Sequence, residues 1–445
     1  MKTGDTIAAI ATPPGNGGVG IIRISGPAVQ SIANQISRKP LKPRYAHYCH
    51  FHDIDERVID SGLLLYFPGP ASFTGEDTLE LQGHGGSVVL DMLLRRVLSL
   101  GARLANPGEF SQRAFLNNKI DLAQAEAIAD LITSGTEQAV RSAQQSMQGL
   151  FSEQINELID ELIELRVYIE AAIDFVDEEI DFLSDGMVAN KIEQLGAKLQ
   201  KIHATAQQGR LLHDGITVVL AGKPNAGKSS LLNALAGHEA AIVTDIAGTT
   251  RDVLRERIQI DGMPLHIIDT AGLHDSENIV EQEGIRRAQL EIEKADKVLL
   301  LMDSTDSENS TLLDRLPANI DVTRVFNKID LSGHPAQIID RVHQVEIYLS
   351  AKTGAGLDLL KQHLKASVGF GETTDNIFIA RRRHLQALTQ AQESVENAGY
   401  QLSNLAPELV AEDLRQAQTS LSEITGEFTS DDLLGEIFGS FCIGK

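Results

Sequence analysis

The segment GKPNAGKS, Gly222 to Ser229, has the G-x-x-x-x-G-K-S spacing that wraps phosphate groups. Its glycines let backbone N–H groups curl around phosphate oxygens, and a following helix N-terminus adds partial positive charge. Lys228 is placed to neutralise the β- and γ-phosphates, and the Ser229 hydroxyl to bind Mg2+. In TDIAGTTRD, residues 244–252, Thr250 supplies a second hydroxyl able to reach Mg2+ and sense the γ-phosphate. In LHIIDTAGLH, Asp269 can hold Mg2+ through water, and the Gly272 N–H can meet the γ-phosphate. RVFNKID brings Asn327, Lys328 and Asp330. A carboxylate at Asp330 can accept from the N1–H and N2 amine of guanine, a donor pair adenine lacks. YLSAKTG adds Ser350, Ala351 and Lys352 as backbone support for the guanine oxygen. Each motif is weak alone; five in this order, each at a strand end, specify a GTP site.

Hydrolysis is less plainly written. Where Ras-like proteins carry a water-orienting Gln after the D-x-x-G glycine, Leu273 stands here, and an apolar side chain cannot do that work. Two residues can substitute. The side-chain oxygen of Asn225, inside the phosphate loop, can hold a monovalent cation beside the phosphates. Glu281, in SENIVEQEG, can position the water, although from spacing alone an exposed carboxylate is the plainer reading.

These motifs need a scaffold. Ile216 to Leu220 is an apolar β-branched run feeding the glycine turn, with a Leu-rich helical stretch after it, so a doubly wound α/β domain is expected over 212–372. Near the N-terminus Gly15, Gly17 and Gly20 spell G-x-G-x-x-G, but Ile21 to Ile24 continues as strand. A glycine turn between strands is expected, and a dinucleotide site is rejected. TLELQGHGGSVVLDMLLRR reads strand, turn, amphipathic helix, with His84 in the turn, inside an α+β domain over 1–118. Apolar residues recur at helical spacing over 119–211 (Leu158, Leu162, Leu165, Ile169, Ile173) and over 373–445 (Leu414, Leu421, Ile424). The simplest architecture is one helical domain, in two parts, with the GTP domain inserted. Arg381 to His384 reads as a helix start with solvated arginines. The acidic run Asp174 to Phe182 lacks the Ca2+-loop pattern and reads as a solvated helix end.

Across 445 residues the formal charge is −23, a field that repels nucleic acid overall, so any grip on RNA must be local or lent by a partner. No apolar run is long enough to span a bilayer, and the N-terminal stretch breaks at a proline pair before a signal core forms. Two distant cysteines are no disulfide framework; a reducing, cytoplasmic setting is expected. The final FCIGK has the outline of a prenylation box, but Gly444 is not aliphatic and a final Lys is outside the usual set.

GKPNAGKSSLLNAL, TDIAGTTRD, DTAGLH, NKID and FCIGK together resemble the tRNA-modification GTPase family called MnmE or TrmE, over essentially the whole chain. The resemblance implies a multidomain α/β plus α protein: an N-terminal α+β folate-binding-like domain, a helical domain and an inserted Ras-like P-loop GTPase domain. It implies a potassium-activated GTPase that adds an aminomethyl-type group to carbon 5 of the wobble uridine of certain tRNAs. The implied partners are tRNA, a second copy of the chain, and an FAD-dependent MnmG-type protein, with no membrane. The implied one-carbon source is 5-formyltetrahydrofolate or a related folate. GTP contacts carry over to Asn225, Ala226, Gly227, Lys228, Ser229 and Ser230; to Thr244, Asp245, Ile246, Ala247, Gly248, Thr249 and Thr250; to Asp269, Thr270, Ala271 and Gly272; and to the two guanine motifs. Mg2+ falls to Ser229 and Thr250, potassium to Asn225, Thr244, Ile246 and Thr249, and water positioning to Glu281. Lys223 stands where many members have Arg. Folate contacts fall to Arg23, Glu80, Lys119 and Lys445, the first three of which without the resemblance would read as surface ion-pair residues. Cys442 is a candidate nucleophile provided that nearby cations stabilise its thiolate. A GTP-dependent switch in ribosome or RNA assembly would use the same nucleotide motifs; the N-terminal domain and FCIGK argue against it.

Overall fold

A computed structural model describes residues 4–38, 40–174, 186–223, 225–237, 255–269, 295–306, 320–341, 344–371, 377–427 and 431–444. They fall into two compact units. The first draws on Met1–Ala129, Met147–Asp185 and Tyr400–Lys445, the second on Asp130–Ser146 and Gly186–Gly399.

The first unit is built on a six-stranded sheet of β1 (Thr6–Ile10), β2 (Gly17–Ser25), β3 (His47–His52), β4 (Val58–Phe67), β5 (Thr78–Gly85) and β6 (Ala102–Leu104). The order is β3-β4-β5-β2-β1-β6, antiparallel except where β6 runs parallel to β1. Ile22 and Ile24 of β2 and Leu79 and Leu81 of β5 turn to one face. There they pack with residues of the helices Val29–Ser37 and Ser87–Ser99, as strand alternation requires. Ile7 and Ala9 bury the other way, against Ala105 and Phe110.

Gly17 and Gly20 lie inside β2 rather than in a turn. A Cβ on Gly20 would stand 2.7 Å from Leu90, so Gly20 admits a close helix rather than a dinucleotide. His84 is likewise a strand residue of β5, not a turn histidine, and bonds Asp60 at 2.7 Å. The expected helical stripe is present in Leu150–Asp174. Leu158, Leu162, Leu165 and Ile169 are buried, and the helix packs on Pro407–Thr425 with its buried Leu414, Leu421 and Ile424.

The second unit holds seven strands, β7 (Ile216–Gly222), β8 (Arg255–Ile260), β9 (Met263–Asp269), β10 (Lys297–Asp303), β11 (Val322–Asn327), β12 (Gln337–Arg341) and β13 (Gln344–Tyr348). Their order is β12-β13-β11-β10-β7-β9-β8. The five central strands are parallel and the two edges antiparallel. Val218 and Leu220 bury into one apolar cluster while Val219 and Ala221 bury into another. A strand covered on both faces reads as a continuous apolar run for this reason.

The same unit contains Met187–Asp214 and all but the last residues of Glu137–Met147 and Arg382–Ser403. Where its chain enters and leaves the sheet, Asp130 is 3% exposed and accepts from both connections. His213 Nε2 lies 3.1 Å from Oδ1, and the Arg381 guanidinium also bonds the carboxylate. Arg381 is thus a buried-pair partner and not the solvated arginine the sequence suggested. Ser146 closes the same corner, its Oγ accepting from Ile379 N at 2.9 Å.

Candidate functional site

At the C-terminal ends of the parallel strands, where open α/β sheets bind ligands, the loops after β7, β11 and β13 converge. The helix Lys228–Ala236 starts directly after Gly227, whose φ is +99°. A Cβ there would fall 2.2 Å from Asn327 Nδ2, so both the backbone twist and the space demand glycine. Asn225 also takes a left-handed φ, +64°. Lys228 folds back, its Nζ donating to the Gly222 carbonyl at 2.9 Å and the Lys223 carbonyl at 3.3 Å. Ser229 and Ser230 stand exposed on the first turn, where unpaired helix N–H groups favour an anion.

Asn327 ties the three loops together. It is 2% exposed; Nδ2 donates to the Ala226 carbonyl at 2.9 Å, while Oδ1 accepts from Lys328 N at 2.8 Å and Ala351 N at 2.9 Å. Both polar atoms of its amide bond within the scaffold, so Asn327 holds the three loops in register. Asp330 is fixed by Ser350, whose Oγ donates to Oδ1 at 2.6 Å. Lys328, at φ +65°, sends Nζ to Asp303 Oδ2 at 2.7 Å. That ammonium and the Thr305 donors hold the Asp303 carboxyl down at about 2. Asp303 escaped the sequence reading; its signal was a carboxylate ending an apolar strand, as in Asp269. Lys223 pairs with Asp306 at 2.9 Å, and Lys352 is exposed.

The structure therefore brings together Asn225, Ala226, Gly227, Lys228, Ser229, Ser230, Asn327, Lys328, Asp330, Ser350, Ala351 and Lys352. Asp269 ends β9. Thr244, Asp245, Ile246, Ala247, Gly248, Thr249, Thr250, Thr270, Ala271, Gly272, Leu273 and Glu281 lie outside the described residues, as does the acidic run from 175 to 182.

A second constellation sits in the first unit. Arg23 and Glu80 are cross-strand partners of β2 and β5, and the guanidinium meets Glu80 Oε1 at 2.9 and 3.1 Å. Gln82 donates to the other oxygen at 3.1 Å, and Arg23 lies 6.0 Å from the Phe110 ring centroid. The C-terminal segment joins this pair. Phe438 and Phe441 pack with Leu122 and Ala125, the Cys442 carbonyl accepts from Gly108 N at 3.4 Å, and the Gly444 carbonyl accepts from Arg23 Nη1 at 3.4 Å. Gly444 has φ +98°, and a Cβ there would meet the Ile10 carbonyl at 2.6 Å. Cys442 is exposed. Lys119 lies against Gly75 instead, beside the Asp5–Glu76–Glu109–Arg113 ion network, and Lys445 is outside the described residues. Among the described residues no helix is long and apolar enough to cross a membrane, and no three metal-ligating side chains cluster.

Two family models match the chain: GTP-binding protein TrmE N-terminus over residues 6–119 and MnmE helical domain over 122–442. The tRNA modification GTPase MnmE of Hydrogenovibrio crunogenus is 58% identical over 449 residues, and that of Proteus mirabilis 59% over 455, each covering all of both chains. Among solved structures, the G domain of the T. maritima FeoB iron transporter is 30% identical. It covers 34% of this chain and 98% of its own, at a TM-score of 0.28. Aquifex aeolicus Era bound to GDP.AlF4- is 26% identical, covering 40% and 66%, at 0.27.

Proposed function

The chain belongs to the tRNA modification GTPase MnmE family, and from that premise we propose that it hydrolyses GTP to drive carbon-5 modification of the tRNA wobble uridine. The observation that carries the nucleotide half is Asn327, whose amide joins the phosphate loop to both guanine motifs, with Asp330 held by Ser350.

The phosphate loop fits its ligand. The twisted Gly227 leaves room against Asn327, and the Lys228 ammonium donates to the Gly222 and Lys223 carbonyls, bonds that it can exchange for phosphate oxygens. Ser229, with Thr250 and Asp269, would hold Mg2+, which neutralises the developing phosphate charge. Asn225, at a left-handed φ of +64° within the loop, would hold potassium together with Thr244, Ile246 and Thr249. Glu281 would orient the water in place of the Gln that Leu273 replaces.

The Arg23–Glu80 pair suits a folate: a carboxylate for pterin amide and amine donors, with cations for the glutamate tail. The Gly444 carbonyl accepts from Arg23, Lys445 is the next residue in sequence and the fourth folate candidate, and the exposed Cys442 is the candidate nucleophile on the same segment. Lys119 is the weakest member of the set, since its described neighbours are Gly75 and not Arg23. We read the protein as a cytoplasmic homodimer with an inserted GTP domain, working with an FAD-dependent MnmG-type partner.

Mass-spectrometric nucleoside analysis of bulk tRNA from cells lacking the chain tests this. Carbon-5 aminomethyl-type wobble uridines should vanish and return on complementation. Their persistence would overturn the tRNA half of the proposal and leave a GTP-dependent assembly switch.

A further inference from the structure

We infer that the outer edge of the N-terminal sheet, residues 42–50, is an RNA-binding strip that stacks bases and neutralises phosphates. The inference rests on the tRNA reading and supplies the contact surface which that reading lacks.

The first observation is charge. From Thr6 to His52 the chain holds no Asp or Glu, while Arg23, Arg38, Lys39, Lys42 and Arg44 fall in that stretch with three histidines. In a chain of net charge −23 this is the opposite of the average. Of the acids at the far end of the hairpin, Glu56 pairs with Arg38 at 3.0 Å and Asp55 with Arg57 at 3.1 Å, while Asp53 accepts from the neighbouring Ile54 N–H at 2.8 Å. Neither Lys42 nor Arg44 is in an ion pair among the described residues. A local positive strip is what an acidic protein needs to hold a polyanion against its own field.

The second observation is the aromatic rings. Cys49 and Phe51 of β3 point to the core, so Tyr48 and His50 point outward, and Tyr48 is 64% exposed. Tyr45, just before the strand, is 54% exposed. The rings form a series: Tyr45 to His47 at 4.9 Å, Tyr48 to His50 at 6.3 Å, His50 to His52 at 6.4 Å. Lys42 Nζ lies 5.5 Å from the Tyr45 centroid, and Arg44 lies 5.8 Å from that of Phe67 while donating to the Ala71 carbonyl. Cations interleaved with exposed rings match a single-stranded nucleic acid, whose phosphates and base faces alternate along the chain. An acidic peptide would use the cations but not the exposed ring faces.

The third observation is the edge. β3 has β4 alone as strand neighbour among the described residues; its His47–His52 run carries rings and no carboxylate, and Lys42 and Arg44 lie just before it.

The test uses the full chain with an unmodified tRNA transcript carrying uridine at the wobble position, measured by fluorescence anisotropy across a salt series. Lys42→Ala with Arg44→Ala should weaken binding about tenfold at low salt and flatten log K against log salt by about 1.5, the share of two phosphate contacts. Tyr48→Ala should weaken it about tenfold at every salt concentration without altering the slope. GTP hydrolysis and light-scattering mass report that each variant is folded and assembled as the parent is. Equal transcript affinity in parent and variants overturns the strip while leaving the tRNA reading intact. Equal affinity with a lost dimer assigns the edge to a second copy and also overturns it. A parent chain that does not bind the transcript overturns both.

Discussion

His213 should titrate far above an ordinary histidine and make the second unit's stability fall in alkali. Burial disfavours its charged ring. Hydrogen bonds to Asp130 and Asp214 outweigh that cost against an opposing Arg381, and hold its pKa up at about 9. The unfolded value is 6.5, so the gap of about 2.5 units, at 1.36 kcal/mol each, is worth about 3 kcal/mol. Because the folded pKa is the higher one, that contribution is whole below pH 6.5 and is lost as pH rises through 9. The assay compares the parent with His213→Gln, which cannot titrate, by urea unfolding at pH 6 and pH 10. Titrations common to both proteins cancel in the difference. The parent should lead by about 3 kcal/mol at pH 6, with the pH-dependent part gone at pH 10. NMR of histidine-labelled protein should give a midpoint near 9, and Asp130→Asn should lower it. A His213 midpoint near 6.5, or a lead that does not change with pH, would refute the reasoning.

Three further outcomes are expected. Gly227→Ala forces a Cβ against Asn327 at a φ that L-residues resist, so guanine-nucleotide affinity, read with a fluorescent GDP, should drop by about 2 kcal/mol, roughly thirtyfold. Glu80→Gln keeps the shape of the Arg23 pairing but removes its charge. Calorimetry should show 5-formyltetrahydrofolate binding about tenfold weaker, with GTP turnover unchanged. Turnover of the parent should be much faster in potassium than in sodium at equal ionic strength, and equal rates would sink the cation role of Asn225.

The nucleotide site was legible because phosphate and guanine chemistry prescribe residue types at short spacing, and each motif ends a strand whose apolar run is visible. Asn327 could be named from NKID, though not its grip on Ala226 a hundred residues upstream. Arg23 and Glu80 needed the register of β2 on β5, which no local pattern states. The junction was misread for the same reason: Arg381 meets Asp130 across 251 residues, so a basic tripeptide looked like solvated surface. Gly20 reads as a turn residue because glycine marks both turns and close packing, and only the helix above β2 distinguishes them.

The helix Leu150–Asp174 has a consequence for how the chain is made. Its buried stripe is covered by Pro407–Thr425, which leaves the ribosome about 230 residues later. At about 5–20 residues per second that interval is on the order of 10 to 50 s. Throughout it, Leu158, Leu162, Leu165 and Ile169 face the cell's chaperones rather than their own partner. The GTP-binding strands, all synthesised in that interval, can close first. Translation tempo between the two helices therefore bears on the yield of intact protein, and slow codons there would lengthen the exposure of its most adhesive surface.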